Sequence, residues 1–271
     1  MKVLSAKGQK AIDTALKADL VILNTAVLKE KVPHVLPKVL WWIHEMRGHY
    51  FKVEYVKHLP FVAGAMIDSL TTAEYWKNRT RECLGIKMPE TYVVHGNSKE
   101  LMEVAEDSVA KRILREHVFH VGKVRIYFFV PFTKVCNLLR EETAGATNSC
   151  IAPYLASIDV LVQNSQARGE CFGRITTEAM AFQLPVLGTA AGGTMEIVVN
   201  GSTGLLYPAA KEGVTPLANN IVKLATHVER RLTMGKKGYE RVKERFLEPH
   251  ISHRIALVLK DVLQKAKSHS T

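Results

Sequence analysis

The sequence predicts an α/β protein made of two halves, each built on a mostly parallel sheet. Three observations predict this class. Apolar runs of strand length alternate with amphipathic helical stretches, the strand-like runs are almost continuously apolar, and the alternation starts again near Pro153. With 271 residues, of which 47% are hydrophobic, the chain can bury a core in one large domain or two small ones.

The first half contains three predicted strands and the helices between them. The strands are DLVILNT, VLWWI and TYVV, at residues 19–25, 39–43 and 91–94. The intervening helices are predicted at residues 4–16 and 69–83. Because the strands are apolar on both faces, they indicate a sheet that is covered on both sides.

The middle of the chain fits the alternating pattern least well. A strongly periodic helix, SKELMEVAEDSVAKRILREHV, is predicted to begin at Ser98, which is a suitable N-cap. Residues 121–150 hold one strand-like run, one short helical run and a polar loop, whereas a parallel sheet needs several strands to bury both of its faces.

The second half shows the same alternation as the first. Strands are predicted at residues 158–163 and 185–188, helices at 172–182 and 194–199, and an extended piece at 204–207, followed by three basic helices. The predicted domains are residues 1–97, a helical connection with an atypical segment at 98–152, a second domain at 153–250 and a C-terminal helix at 251–271.

Composition argues against several classes of protein. The longest apolar stretch, residues 126–132, is far too short for a bilayer span, and the opening MKVLSAKGQK lacks the apolar core of a signal peptide. The four cysteines form no CxxC pair, so neither a zinc site nor a disulfide framework is indicated. The chain as written is predicted to be cytoplasmic, whereas an upstream segment with an anchor would place it at the Golgi or another membrane.

The formal net charge of +11 indicates an anionic partner, which a nucleotide, a membrane surface or nucleic acid would each satisfy. Many of the cations lie in residues 229–246, where they alternate with Glu at helical spacing, as on a solvated helix face. No aromatic stacking platform or nucleic-acid motif accompanies them. We therefore expect no nucleic acid, and peripheral membrane contact through the basic surface stays open.

Two acidic side chains follow the predicted strand at residues 158–163. Glu170 lies on the loop that leaves the carboxyl end of this strand, at the edge where open α/β sheets bind ligands. Glu178 lies about two turns into the next helix, on an arc that reaches the same crevice. One carboxylate is thus placed for the reacting end of a ligand and the other for a hydroxylated part farther along.

A glycine-rich loop follows the next predicted strand, in GTAAGGTMEIVVNGSTGLL. Gly192 and Gly193 allow the backbone to approach a ligand closely. Thr194 opens a helix whose free N–H groups and positive dipole end suit a phosphate. Two carboxylates beside an anion-binding loop predict a site for a nucleotide that carries a hydroxyl-rich group.

The segment GECFGRITTEAMAFQLPVLGTAAGGTMEIVVNGSTGLLYP resembles the donor-site signature of retaining GT-B glycosyltransferases of family 4, the glycosyl transferases group 1. The shared features occur in order: two acidic residues separated by seven others, then P-V, then G-G-x-x-E, then G-x-x-G-L-L. The resemblance implies a GT-B-like fold of two Rossmann-like halves, both incomplete here because a full GT-B enzyme needs about 300 residues or more.

The resemblance also implies roles for individual residues. Glu170 would contact the transferred sugar and stabilise charge at its anomeric carbon, and Glu178 would accept hydrogen bonds from the ribose hydroxyls. The implied donor-binding set comprises Glu178, Gly173, Arg174, Gly192, Gly193, Thr194, Met195 and Glu196. In the first half, VLWWIHEMRG is similar to the strand and loop that place a histidine at the family's cleft, which makes His44 the second catalytic candidate.

Such enzymes need no obligatory metal, and the sequence contains no DxD-like metal signature. Helix N-termini and basic side chains would then meet the charge of the leaving diphosphate. We expect no cofactor, a UDP- or GDP-sugar as donor, and an unknown acceptor that is a glycan, a lipid or a small molecule.

The chain also departs from the family pattern. The family's second domain begins with a strand followed by an Arg and a Lys-Gly pair that hold the donor phosphates, and no convincing match lies between Ser98 and Pro153. Gln183 stands where the family usually has glycine. Charge-assisted hydrogen bonds to phosphate contribute about 1.5–3 kcal/mol each, so the chain is expected to be impaired or inactive without these cations.

Simpler interpretations of the same residues stay open. His44 could be a structural histidine beside tryptophans, Glu178 could pair with Arg174 on a helix surface, and the two loop glycines could serve only a tight turn. At the level of the whole chain, the alternative to a glycosyltransferase is a non-catalytic sugar-nucleotide-binding or scaffold protein.

Overall fold

The chain divides into two compact units, Met1–His95 with Ile251–Thr271, and Gly96–His250. The computed structural model describes residues 9–24, 34–44, 56–95, 105, 126–129, 151–165 and 170–268. The periodic helix predicted to begin at Ser98 lies outside them, apart from Ala105. The domain boundaries predicted at residues 97, 152 and 250 stay predictions beside this division.

Each unit contains a four-stranded parallel sheet with its strands in sequence order. The strands of the first sheet are β1 Val21–Asn24, β2 Val39–Ile43, β3 Gly64–Ile67 and β4 Thr91–Val93. Those of the second sheet are β5 Ile126–Phe129, β6 Val160–Gln163, β7 Val186–Thr189 and β8 Gly204–Tyr207. In both sheets, all carboxyl ends therefore lie along one edge.

Helices connect and cover the strands. The described helices are α1 Gln9–Lys17, α2 Leu70–Leu84, α3 Ala152–Ser157, α4 Arg174–Ala181, α5 Thr194–Ile197, α6 Val214–Thr226, α7 Val228–Arg245 and α8 Glu248–Ser268. Short 3₁₀ turns lie at Leu36–Lys38, Leu59–Phe61 and Lys211–Gly213. Among these described helices, none combines the length and apolar character that a membrane crossing requires.

Local signals set the limits of α2. The Ser69 side chain accepts a hydrogen bond from the Thr72 N–H at 3.1 Å, so it acts as the N-cap. At the other end, Gly85 adopts a left-handed conformation with φ 64° and its N–H donates to the Arg81 carbonyl, which ends the helix. The predicted helix at residues 69–83 is therefore present, shifted by one residue.

Alternate residues of the first sheet serve two separate cores, because successive strand side chains point to opposite faces. One face packs against α2 and the 3₁₀ turns, through Val39, Trp41, Ile43, Ala65, Ile67 and Trp76. The opposite face packs against α8, through Leu40, Met66, Tyr92, Val258 and Val262. The C-terminal helix thus completes the core of the first unit.

The second sheet is also covered on both faces. On one face, Met180 of α4, Phe182 just after it and Val242 of α7 join a core that includes Leu161 and Val186. On the other face, Leu224 and Met234 pack against Val160, Val162, Leu187 and Tyr207. Helix α4 follows β6 and lies against the sheet, so the loop that joins them is held at the carboxyl edge.

The structure adds one strand that the sequence patterns did not predict. β3, Gly64–Ile67, is short, begins with glycine and shows no alternation, so it gives no strand signal strong enough to recognise. β5 is the strand-like run predicted within residues 121–150, and it pairs with β6 as part of the second sheet. The helix predicted at residues 194–199 is shorter than expected and ends at Ile197.

Candidate functional site

Two loops leave neighbouring carboxyl ends of the second sheet. The acidic loop, residues 164–173, runs from β6 to α4 and carries Glu170; its residues 166–169 lie outside the described part. The glycine-rich loop, residues 190–193, runs from β7 to α5. Because β6 and β7 are adjacent and parallel, both loops begin at the same edge.

The two loops pack backbone against backbone. The Gly193 N–H donates to the Glu170 carbonyl oxygen at 3.3 Å. A Cβ atom on Gly192 would lie 2.3 Å from that same oxygen, and one on Gly193 would lie 2.3 Å from the Phe172 carbonyl oxygen. Any side chain at either position would therefore separate the loops, so both glycines are required for this approach, and Gly192 is also suited to the turn through its φ of 58°.

The Glu170 carboxylate is held by three donors. Its Oε2 atom accepts hydrogen bonds from Gln163 Nε2 at 2.8 Å and from Ser165 Oγ at 3.0 Å. The Gly173 N–H donates to the same carboxylate, from a left-handed backbone with φ 93°. Burial raises the pKa of Glu170, and these hydrogen bonds to the charged form oppose the rise only in part.

Gln163 connects the acidic loop to the glycine-rich loop. Its side chain is fully buried at the end of β6. Its Oε1 atom accepts a hydrogen bond from Thr194 Oγ1 at 3.1 Å, while Nε2 donates to Ser165 Oγ at 2.7 Å as well as to Glu170. Neither Gln163 nor Ser165 was among the predicted site residues, because a single polar residue at a strand end carries no motif.

Glu178 and Arg174 lie on the exit helix of the acidic loop, α4. Glu178 is half-buried, Arg174 is exposed, and no hydrogen bond or ion pair joins either side chain to another described residue. Burial raises the pKa of Glu178, although the charge of Arg174 acts in the opposite direction. Glu178 and Arg174 therefore form no surface ion pair with each other in the described part of the chain.

The glycine-rich loop leads into a single helical turn, α5. The N–H groups of Met195 and Glu196 donate to the carbonyls of Gly192 and Gly193, at 3.3 and 3.0 Å. The expectation of free N–H groups at this helix start is wrong for these two and for Gly193, because the tight turn already supplies acceptors. The Met195 side chain is exposed, whereas Glu196 is half-buried.

Arg241 of α7 supports the far end of α5. Its guanidinium donates to the carbonyl oxygens of Ile197 at 2.7 Å and Glu196 at 2.9 Å. A cation at a helix C-terminus satisfies carbonyls that the helix itself leaves unbonded. The sequence placed Arg241 only in a basic helix, so its contact with the site loop could not be predicted.

His44 belongs to the first unit and follows β2. Its Nδ1 lies 2.8 Å from Asp68 Oδ2 and its Nε2 lies 2.8 Å from Asn24 Oδ1. Trp42 Nε1 donates to the other oxygen of Asp68 at 3.2 Å. Asn24, His44 and Asp68 thus stand at or after the carboxyl ends of three successive strands, where a parallel sheet brings polar residues together.

Most of the predicted donor-site residues therefore lie together. Gly192 and Gly193 contact Glu170 directly, Thr194 is linked to Glu170 through Gln163, and Gly173 donates to Glu170. The others stand on α4 and α5, which leave these loops. Asp68 and Asn24 beside His44 were missed, the former because β3 was not recognised. Within the described residues, no group of three or more His, Cys, Asp or Glu side chains is placed to hold a metal ion.

Comparison with known families gives matches over most of the chain. Residues 1–110 match the family described as glycosyl-transferase family 4. Residues 144–241, which include both loops, match the family described as glycosyl transferases group 1.

Individual relatives match a shorter part. An uncharacterized glycosyltransferase of Methanocaldococcus jannaschii is 36% identical over 122 residues, which is 44% of this chain and 34% of the relative. N-acetyl-alpha-D-glucosaminyl L-malate synthase of Bacillus anthracis is 31% identical over 118 residues, which is 44% of this chain and 30% of the relative. These matches span about a third of the length of the curated relatives.

Solved structures show the same fold. HepE of Anabaena, crystallised in complex with UDP and glucose, superposes with a TM-score of 0.67 and 17% identity, over 93% of this chain and 80% of HepE. The likeness confirms the predicted α/β class with two parallel sheets. At this level of identity, it shows the fold alone.

Proposed function

Because the chain belongs to the family 4, or group 1, glycosyltransferases of the GT-B fold, we propose that it binds a nucleotide sugar and transfers the sugar to an acceptor with retention of anomeric configuration. The packing of the acidic loop against the glycine-rich loop carries this proposal. It brings Glu170 next to the backbone of the two loop glycines, at the carboxyl edge of the sheet, where open α/β sheets bind ligands. UDP is the first nucleotide to test because HepE was crystallised with it, and GDP is the second.

Glu178 is the proposed ribose ligand. A half-buried carboxylate that lacks a hydrogen-bond partner among the described residues is costly to keep ionised, and ribose hydroxyls are suitable donors to it. Its place in the second turn of α4 leaves the first turn for the phosphates. Arg174 in that first turn is exposed and supplies a cation.

The backbone at Gly193, Thr194 and Met195 is the proposed contact for the diphosphate or the sugar hydroxyls. The 3.3 Å hydrogen bonds of the Gly193 and Met195 N–H groups are long, so a phosphate or hydroxyl oxygen could share these donors. Glu196 stands next to them. Fixed N–H donors and a nearby cation stabilise charge on a leaving diphosphate without a metal ion.

Glu170 is the proposed catalytic carboxylate. Donors on Gln163, Ser165 and Gly173 favour its ionised form, which suits electrostatic stabilisation of positive charge at the anomeric carbon. It acts as a charge and hydrogen-bond partner rather than as a nucleophile. His44 is the second proposed catalytic residue, with its ring orientation set by Asp68 and Asn24.

The second candidate function is that of a non-catalytic sugar-nucleotide-binding or scaffold protein. It is favoured by the sequence between Ser98 and Pro153, where the family's phosphate-binding Arg and Lys-Gly pair have no convincing match. Such a protein would keep the site around Glu178 and Gly193 but release no nucleotide from a bound donor. The acceptor is open under either function, and so is peripheral membrane contact through the basic helices.

The test is calorimetric titration of the protein with UDP, GDP and ADP. Glu178→Ala is expected to weaken binding of the preferred nucleotide about tenfold or more, since hydrogen bonds to a charged group contribute about 1.5–3 kcal/mol. Glu240→Ala is the matched control, because it removes an exposed carboxylate from α7 and should leave the affinity unchanged. Affinity should also fall as the pH drops through the raised pKa of Glu178, where the carboxylate becomes protonated.

Two results would contradict the proposal. One is the absence of binding to any of the three nucleotides, and the other is binding that is equal in wild type and Glu178→Ala. Release of nucleotide from a bound UDP- or GDP-sugar then separates the two candidate functions, because a scaffold would bind the donor and leave it intact.

A further inference from the structure

One buried amide stands at the centre of the proposed donor site. All four residues of β6 are buried, and the last of them, Gln163, is fully buried although its side chain is polar. Glutamine is seldom found in such positions, because a buried amide is destabilising unless its polar atoms are hydrogen-bonded. Here every polar atom of the side chain has a partner.

The partners determine how the amide is oriented. Nε2 donates to Ser165 Oγ and to Glu170 Oε2, at 2.7 and 2.8 Å, and Oε1 accepts from Thr194 Oγ1 at 3.1 Å. An ionised carboxylate can only accept hydrogen bonds, so the NH₂ group and not the oxygen must face Glu170. The reverse orientation would set two acceptors against each other.

This arrangement determines the rotation of the Glu170 carboxylate. Gln163 and Ser165 both donate to the same oxygen, Oε2, and Ser165 is itself held by Gln163. The Ser165 carbonyl accepts a hydrogen bond from Thr189 on the neighbouring strand at 2.8 Å. The carboxylate orientation relative to the sheet edge is therefore set by the fully buried Gln163 and by Ser165, which is held from both sides.

The same amide positions the glycine-rich loop. Thr194 is fully buried at the start of α5, and its methyl group is close to the backbone of β7, since a Cβ atom on Gly188 would lie 2.5 Å from Thr194 Cγ2. The hydrogen bond from Thr194 Oγ1 to Gln163 thus links the start of α5 to the strand that carries the acidic loop.

From this geometry, we propose that Gln163 is a positioning residue, which holds the Glu170 carboxylate ionised and correctly rotated and ties it to the glycine-rich loop at Thr194. The proposal rests on the proposed function for the meaning of the site, since Gln163 acts through Glu170 on the sugar of the donor. It requires no contact between Gln163 and the ligand, because the amide is enclosed by protein.

The first experiment needs no ligand. The ionisation of Glu170 is followed by NMR of ¹³C-labelled glutamate carboxylates, with Glu170→Gln used for assignment. In Gln163→Leu, which keeps the bulk and removes the amide, the pKa of Glu170 should rise above its wild-type value, because a donor to the charged form is lost. An unchanged Glu170 pKa in folded Gln163→Leu would overturn the proposal.

The second experiment measures the contribution of the sugar to binding. The ratio of UDP-glucose affinity to UDP affinity, obtained by calorimetry, should fall about tenfold in Gln163→Leu, as expected when a carboxylate loses its charge-assisted positioning bond. Affinity for UDP itself should change little. Ser157→Ala is the matched control: it removes another buried hydrogen bond, to the Tyr154 carbonyl before β6, and should leave the ratio unchanged.

Gln163→Glu tests positioning against a merely structural role. Below the raised pKa of the coupled carboxyl pair, the protonated carboxyl group introduced at this position can donate to Glu170 as the amide does; above it, two carboxylates repel each other. The affinity ratio should therefore approach the wild-type value at acid pH and be lost as the pH rises. A ratio in this variant with the same pH dependence as in wild type would contradict the proposal.

Failure of this inference is distinguishable from failure of the proposed function. If wild type binds no nucleotide, the proposed function fails, while the NMR titration still decides whether Gln163 controls Glu170. If Gln163→Leu does not fold, Thr194→Val tests the other half of the link. It removes only the hydroxyl that donates to Gln163 and should lower the affinity ratio, and an unchanged ratio would count against the proposal.

Discussion

Gln183 and Ala210 are the two described non-glycine residues with a positive φ, at 57° and 62°. Gln183 lies between α4 and β7. A left-handed conformation costs an L-amino acid roughly 1–2 kcal/mol, because Cβ approaches the backbone carbonyl. The strain at Gln183 is maintained because its backbone packs against α7. Its carbonyl oxygen is so close to Gly235 that a Cβ atom there would lie 1.9 Å from it.

Gln183→Gly is therefore expected to stabilise the protein by about 1 kcal/mol, because relief of backbone strain outweighs the extra entropy of glycine in the unfolded chain. Thermal and urea denaturation would measure the gain. Gln183→Ala is the matched control: it removes the exposed side chain but keeps Cβ, so it should bring no such gain. Equal stability of the two variants would show that the backbone is not strained there.

The packing of α7 on α4 depends on two glycines of α7. A Cβ atom on Gly235 would lie 1.9 Å from the Gln183 carbonyl oxygen, whereas one on Gly238 would lie 3.2 Å from Met180 Cγ. The first obstacle is backbone at the end of α4, and the second is a flexible side chain. The two positions therefore differ in how well they tolerate an added side chain, although both stand on the same buried helix face.

Gly235→Ala should destabilise the protein by about 2 kcal/mol or more, because the helix must move away from the chain between α4 and β7. Gly238→Ala should change stability by less than about 1 kcal/mol, since the gain in helix propensity offsets a small shift of Met180. Urea denaturation of both variants gives the comparison. Similar losses for the two would mean that the helix contact is not set by backbone at Gly235.

The last helix contributes to the first unit although it is distant in sequence. Val258 and Val262 of α8 pack against Leu40 and Met66 of the first sheet. At the edge of this contact, the Tyr92 hydroxyl donates to Asp261, and Lys265 donates to both Asp261 and Glu90. Burial and the hydrogen bond to Asp261 raise the pKa of Tyr92 to about 12, so this hydroxyl keeps its proton except in strongly alkaline solution.

Val262→Ala should lower the stability of the first unit by about 2 kcal/mol, through lost burial and the cavity that remains. Hydrogen exchange should show faster exchange of the amides of β1 to β4. Val242→Ala makes the same change at another fully buried helical valine, in the second unit, and should instead affect β6 to β8. Faster exchange of the second sheet alone in Val262→Ala would contradict the role assigned to α8.

Much of the fold could be predicted because its signals are local. β1, β2, β4 and β6 to β8 lie within or next to the apolar runs that predict strands, and α2 has a recognisable N-cap at Ser69. β3 could not be predicted, since a short glycine-led strand is stabilised only by the neighbours that cover it.

The sequence by itself determined the α/β class and the meeting of two loops at one sheet edge, because residue periodicity and the parallel connection rule are properties of the chain. The order of the strands within each sheet came from the structure. Only the tertiary structure decided that Gln163 holds Glu170, that Asp68 and Asn24 hold His44, and that Arg241 supports α5. Hydrogen-bond partners on different strands and helices depend on register and on distances of a few tenths of an ångström, which no local pattern encodes.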